Sequence, residues 1–138
     1  MSKTSQRMVW IDLEMTGLDL ERESIIEIAT VITDSQLNIL ATGPNLAIKV
    51  QQELLDGMDE WNTRHHHGSG LVQRIHDEGK ELSDAEQATV QFLKEWIEPG
   101  TAPLCGNSVW NDRQFLAKEM PAVLEMLHYR MIDVSTIK

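Results

Sequence analysis

Positive charge is scarce in this chain: 12 Lys and Arg stand against 22 Asp and Glu, a formal net charge of −10. That balance argues against a protein that grips long nucleic acid by neutralising many phosphates. It leaves room for a site that takes a very short polyanion, because bound metal ions reverse the local sign. Cysteine is rarer still. The single Cys105 excludes an internal disulfide and fits a reducing compartment, hence the cytoplasm. Apolar runs extend only a few residues, too short for a transmembrane helix, so no membrane is expected. The polar segment 1–7 lacks the apolar stretch of a secretory signal. There is no Gly-rich phosphate loop, no Cys/His zinc spacing, no nucleophile elbow around a serine, and no repeat or linker.

What remains suits one domain spanning 1–138 with a real core, since 41% of residues are hydrophobic and 25% charged. Residues 8–13 are expected to form a first strand, and 19–23 a charged turn. The segment 24–33, rich in Ile, Val and Thr, reads as a long central strand. Asp34-Ser35-Gln36 has turn composition, and 37–41 returns as a third strand, interrupted at Gly43-Pro44 and continued over 46–50. The chain thus opens as an antiparallel three-strand meander. A short helix over 52–60, a His-rich loop over 62–70 and a helix over 71–78 follow. Ser83-Asp84-Ala85-Glu86 fits a capping box, with Ser83 as N-cap. The helix it starts places Ala85, Ala88, Thr89, Phe92, Leu93, Trp96 and Ile97 on one face and stops at Pro99-Gly100. Residues 102–106 are a short buried strand, 111–119 a helix stopped before Pro121, and 128–132 a last strand. Asp133 or Ser135 then reads as the N-cap of a helix that has barely begun, so the domain is expected to be incomplete at its C-terminus.

The chemistry centres on Val9-Trp10-Ile11-Asp12-Leu13-Glu14-Met15-Thr16-Gly17-Leu18. Alternate strand side chains share a face, so Asp12 and Glu14 emerge together. Two carboxylates side by side repel each other, and a divalent cation between them relieves the repulsion. The other reading is a solvated edge strand with both acids in water. Asp112, near the start of a helix that follows a buried strand, is the natural third carboxylate. It is equally the kind of acid that the helix dipole favours in a first turn. Together the three make an oxygen-ligand set for Mg²⁺ or Mn²⁺, and two such ions suit phosphodiester hydrolysis. His65-His66-His67 cannot all face one metal, so a triple-His zinc site is not expected; one of them touching a substrate is preferred. Trp61 and Tyr129 either stack on bases or pack against the protein.

In combination these motifs resemble a known family. Residues 10–18, then Ile26-Glu27-Ile28-Ala29, Cys105-Gly106-Asn107-Ser108 with Asp112, and His128-Tyr129-Arg130 with Asp133-Val134-Ser135-Thr136 look like oligoribonuclease. That enzyme is one of the exonucleases named for four acids and a histidine. The resemblance implies a ribonuclease H-like α/β fold, a cytoplasmic homodimer, and 3′→5′ hydrolysis of very short RNA, dinucleotides above all, to mononucleotides. It implies that Asp12, Glu14 and Asp112 hold two metal ions. It further implies that Leu18 wedges between the bases, that Trp61 and His66 line the base pocket, and that Ser108, Arg130, Ser135 and Thr136 cap the 5′ phosphate. Tyr129 would reach in from the partner subunit.

The sequence departs from the family in one respect. The family continues past the position of Lys138 into a C-terminal helix that carries the general-base histidine and the fourth carboxylate. None of the five histidines here sits in a matching context. Loss of a general base costs about 10² to 10⁴ in rate, so at most trace activity is expected of this chain. The competing readings are an inactive fragment that binds dinucleotides or dimerises without cleaving, and a relative of proofreading DNA exonucleases. The Asn107-Ser108 and Tyr129-Arg130 context fits short RNA better than the latter.

Overall fold

The computed structural model describes residues 6–137. Five strands form one mixed sheet in the order β3-β2-β1-β4-β5. Alternation of apolar and polar residues makes β1 (Arg7–Met15) two-faced. Val9, Ile11 and Leu13 enter the core, while Trp10, Asp12 and Glu14 line the opposite, more open face. Its antiparallel partner β2 (Ile25–Asp34) is the long central strand foreseen, and β3 (Ile39–Ala47) completes the meander. Gly43-Pro44 does not interrupt β3. A shift of pairing register between Ala29 and Val31 takes up the irregularity instead, and a Cβ at position 43 would strike the Phe92 ring.

Between β3 and β4 come α1 (Gln52–Asp56), α2 (Glu60–Gly68), α3 (Leu71–Glu78) and α4 (Leu82–Trp96). The His-rich stretch is therefore helix, not loop. Asp59 caps α2 by accepting a hydrogen bond from the Asn62 backbone N–H. The α4 N-cap is Glu81 rather than Ser83, so Ser83 lies inside the first turn. Glu86 does not reach back to it. Its Oε2 accepts the Ala122 N–H at 2.9 Å, satisfying an orphan donor in the first turn of α6 (Pro121–Glu125). Within α4 only Ala85, Thr89 and Leu93 are fully buried, and Ala88 faces water.

The chain then crosses into β4 (Leu104–Gly106), which pairs parallel to β1 through Val9–Leu104 and Trp10–Cys105. α5 (Val109–Glu119), α6 and β5 (Met131–Asp133) follow, and a 3-10 turn (Val134–Ile137) ends the described chain. The larger core joins the inner faces of β1, β2 and β4 to Leu93 of α4, Phe115 and Leu116 of α5 and Val123 of α6. A second cluster holds Ile26, Ala47, Leu55, Met58, Leu71, Val72 and Ile75 under α1 to α3. The two are divided at a bulge in the β1–β2 ladder, where Glu14 faces Glu27 but Met15 faces Ile25. Ile25 and Ile28 enter the larger core, and the intervening Ile26 joins the second.

Candidate active site

Two strand carboxylates and one helix carboxylate converge through three local devices. The pleat of β1 puts Asp12 and Glu14 on the open face. The parallel pairing of β4 with β1 brings the start of α5 to the same end of the sheet. Gly106 permits that approach, since a Cβ there would stand 3.2 Å from the Ile11 carbonyl oxygen. Ser108 then takes a left-handed conformation at φ 54°, and α5 begins with Asp112 in its first turn. Asp133 ties this turn down from β5. Its Oδ1 accepts the Ser108 N–H at 3.0 Å, the Ser135 N–H at 3.0 Å and the Ser135 hydroxyl at 2.6 Å, which holds the carboxyl below its usual range.

The three acids feel one another. Burial, then Asp12, Glu14 and Asp133, push the Asp112 carboxyl up to about 7, and its side chain is only 7% exposed. Burial and Glu27 raise Asp12. Burial also raises Glu14, against the lowering effect of His66 and His65. Glu27, directly across the ladder from Glu14, is a fourth acid on this face, but it has its own cation: Arg74 Nη1 lies 2.6 Å from its Oε2. Among the described residues no basic side chain is paired with Asp12 or Asp112. A crowd of carboxylates with raised pKa and no protein cation is a donor set of hard oxygens, which fits Mg²⁺ or Mn²⁺.

Either side of these acids lies a cavity. One of about 460 Å³ is lined by Leu13, Glu14, Met15, Gly17, Leu18, Asp59, Trp61 and Asn62. Leu18 and Trp61 stand 72% and 63% exposed at its walls. The turn that presents Leu18 is fixed by Thr16: its hydroxyl accepts the Ser24 N–H at 3.0 Å and donates to Glu23 Oε1 at 3.1 Å. A Cβ at Gly17 would strike the same Glu23 carboxylate. The second cavity, about 470 Å³, is bordered by Trp10, Asp12, Ala29, Gly106, Asn107 and Val134. A larger one of about 810 Å³, between Arg22, Lys49 and α1, includes none of the three acids.

Of the residues expected to touch substrate, Leu18 and Trp61 share a cavity with Glu14, and Ser108 and Ser135 meet at Asp133. His66 is 1% exposed beneath Glu14, its Nε2 donating to the Met15 carbonyl at 2.9 Å. Tyr129 is exposed, stacked on His128 at 4.3 Å with the Arg130 guanidinium 5.8 Å from its ring centre. The side chain of Thr136 lies outside the described residues. Sequence reasoning weighed His65 only as one of a histidine run and quoted Glu27 and Asp133 only within motifs, Asp133 also as an N-cap, without bringing any of the three beside the acids. Glu27 was within reach, because a hairpin register that pairs Asp12 with Ala29 sets Glu27 opposite Glu14.

A sequence profile of the RNase_T exonuclease family matches residues 9–138. The chain is 54% identical over 138 residues to an oligoribonuclease of Yersinia enterocolitica, covering 100% of this chain and 76% of that protein. It is 55% identical over 134 residues to one of Xanthomonas campestris, covering 97% and 69%. Among solved structures, Exonuclease I from Methylocaldum szegediense aligns with a TM-score of 0.66 at 15% identity, over 96% of this chain and 28% of that one. Exonuclease I of E. coli in complex with a 5cy-dA13 oligonucleotide gives 0.61 at 14% identity, over 80% and 23%. The chain thus spans about a quarter of the length of these structural relatives, and at such identity the likeness concerns fold.

Proposed function

The chain belongs to the oligoribonuclease family, and from that premise we propose that it is a metal-dependent 3′→5′ exoribonuclease acting on very short RNA, dinucleotides above all. The observation that carries this is the convergence of Asp12, Glu14 and Asp112, with Asp112 pushed to about 7 by its neighbours. A protein spends stability on such a cluster when a cation is to sit in it. Asp12, Glu14 and Asp112 would hold two Mg²⁺ or Mn²⁺ ions. Such ions, when bound, lower the pKa of water and stabilise charge developing on a phosphodiester oxygen.

The remaining residues bind and orient. Leu18 and Trp61 offer apolar surface on either side of a cavity that also contains Glu14, suited to a wedge and a stacking platform for two bases. His66 shapes the floor of that region from below, through Glu14 and Met15. Arg130 supplies positive charge and Ser108, Ser135 and Thr136 hydroxyls for a 5′ phosphate, which would cap the substrate and refuse longer strands. A net charge of −10 fits a substrate of one or two phosphates better than a long polyanion. Tyr129, exposed and flanked by Arg130, is available to enter the site of a second copy, so we assign a homodimer. With one cysteine, buried, the cytoplasm is the compartment proposed. No described helix is long and apolar enough to cross a membrane.

The test is cleavage and binding of a 5′-phosphorylated diribonucleotide and of a longer RNA by this chain, with Mn²⁺, beside Asp12→Ala. Dinucleotide turnover, at the trace level expected without a general-base histidine, that disappears in the variant supports the proposal. Turnover untouched by Asp12→Ala, or a preference for the longer RNA, overturns it. Dinucleotide binding without cleavage would identify the non-catalytic alternative.

A further inference from the structure

One side of Glu14 carries a second donor set of a different chemical kind. Among the described residues, Glu14, His65 and His66 present ligand atoms that all lie within 4.8 Å of one another. His65 Nε2 is 3.8 Å from Glu14 Oε1, and His66 Nδ1 is 4.0 Å from Glu14 Oε2. Neither Asp12 nor Asp112 belongs to this group.

The two histidines are neighbours in α2, yet both reach Glu14, with their rings edge to face at 5.2 Å. His67 points elsewhere and is exposed. What singles the group out is the second nitrogen of His66. Its Nε2 must donate, because its partner is the Met15 carbonyl oxygen, which can only accept. In the neutral ring that bond fixes Nδ1 as a bare lone pair. Nδ1 is buried with no hydrogen-bond partner, in a residue that is 1% exposed, and it is directed at Glu14. An imidazole whose far nitrogen bonds a backbone carbonyl is the arrangement that orients metal-ligating histidines. A buried acceptor left without a donor otherwise costs stability.

We propose that Glu14, shared with the acidic set, joins His65 and His66 in a second site for a borderline transition-metal ion of the Zn²⁺, Co²⁺ or Ni²⁺ class. Two imidazole nitrogens and one carboxylate select such an ion over Mg²⁺, whose preference is for oxygen. The set resembles three-ligand zinc sites that keep a fourth position open. In a tetrahedral site of that kind neighbouring donor atoms stand about 3.3 Å apart, so each imidazole must close on Glu14 by about 0.5 to 0.7 Å and the widest pair by at most about 1.5 Å, movements within reach of side-chain rotation. Occupancy would draw Glu14 away from Asp12 and Asp112. It would also fix His65, on which the Trp61 ring stacks at 4.7 Å, and so reshape the wall of the Leu18–Trp61 cavity.

Co²⁺ is the probe. Metal-free full chain is titrated with Co²⁺ while visible absorption and tryptophan fluorescence are recorded. With excess Mg²⁺ present to occupy the all-oxygen set, the expected result is one Co²⁺ bound with a band of mixed nitrogen and oxygen ligation that His65→Ala abolishes, and quenching that Trp61→Phe largely removes. His65→Ala, a change at an exposed helix position, should weaken Co²⁺ binding by at least about 100-fold, since even outer partners of metal ligands are worth about 10- to 100-fold. Mg²⁺ binding measured by calorimetry should survive that change. Because His66→Ala empties a buried position and threatens the fold, His66 is read in the wild type: Co²⁺ should shift its ring proton resonances strongly. Equal Co²⁺ affinity in wild type and His65→Ala, or ring signals left in place, overturns the proposal. Both readouts are independent of whether the chain cleaves RNA.

Discussion

Asp112 offers the sharpest test of whether its carboxylate is placed there at the expense of folding. Its pKa of about 7 against 3.8 means that the folded protein resists ionisation. For a group raised in this way, stability is fully present below 3.8 and is lost as pH climbs through about 7. At about 1.4 kcal/mol per tenfold, the ionised side chain costs at most about 4 kcal/mol at neutral pH. Allowing for the water that reaches a site bordering open cavities, about 2–3 kcal/mol is the working figure. Near pH 5 the same linkage leaves only about 1 kcal/mol. The Asp112→Asn variant keeps the shape and removes the charge. In EDTA it should therefore be more stable than wild type by about 2–3 kcal/mol at about pH 8, with most of that gain gone at about pH 5. Urea denaturation at the two pH values reads this directly. Added Mn²⁺ should reverse the order, because a ligand at 100 times its Kd stabilises the wild type by about 2.7 kcal/mol and the variant has lost a ligand. If Asp112→Asn is no more stable than wild type at either pH in EDTA, the electrostatic account of the site is wrong.

Two further outcomes follow from the same geometry. Arg74→Met strips Glu27 of the guanidinium 2.6 Å away and leaves its charge facing Glu14 across the ladder. We expect a loss of about 1–2 kcal/mol in metal-free thermal melts, partly restored by Mn²⁺; a loss that Mn²⁺ leaves untouched would take Glu27 out of the site's field. Leu18→Ala removes a side chain that is 72% exposed, so stability should move by less than about 0.5 kcal/mol while dinucleotide affinity falls several-fold. Unchanged affinity by calorimetry would reject the wedge.

The strands were readable because their inner faces obey a period of two over long stretches: Val9, Ile11 and Leu13 on β1, Ile28 and Ile32 on β2. The pairing of Asp12 with Glu14 follows from the same pleat. The approach of Asp112 does not, since it depends on β4 choosing the free edge of β1 and on Gly106 letting the backbones close. From the residues alone Asp112 was a helix acid after a buried strand and a candidate third carboxylate, and the family resemblance made it a ligand. α2 escaped detection for a different reason. The segment EWNTRHHHG has no apolar stripe, and the one residue it buries is His66. Its helical signal was the N-cap Asp59, which composition hides among other acids. Ser83 misled in the opposite direction. A capping-box pattern fitted, but the Glu86 carboxylate was drawn to the bare Ala122 N–H of another helix, a partner no local rule can name.

These local departures explain how an acidic face survives on a small domain. Burial that holds the fold together lies on the inner side of the sheet, under α4, α5 and α6, and in the separate cluster under α1 to α3. The outer side is then free to carry charges that folding would not choose, and the protein compensates them unequally. Glu27 is matched by Arg74, and Glu14 is approached by His65 and His66. Asp133 stays charged, its carboxylate stabilised by three hydrogen bonds from Ser108 and Ser135. Asp12 and Asp112 receive no such partner among the described residues, and both are raised in pKa. Compensation thus decreases from the flanks toward the pair that faces across β1 and α5. On the function proposed above, a hard cation such as Mg²⁺ would gain most where the protein has supplied least, between the strand and the helix, whereas the imidazole flank of Glu14 suits an ion of the softer class.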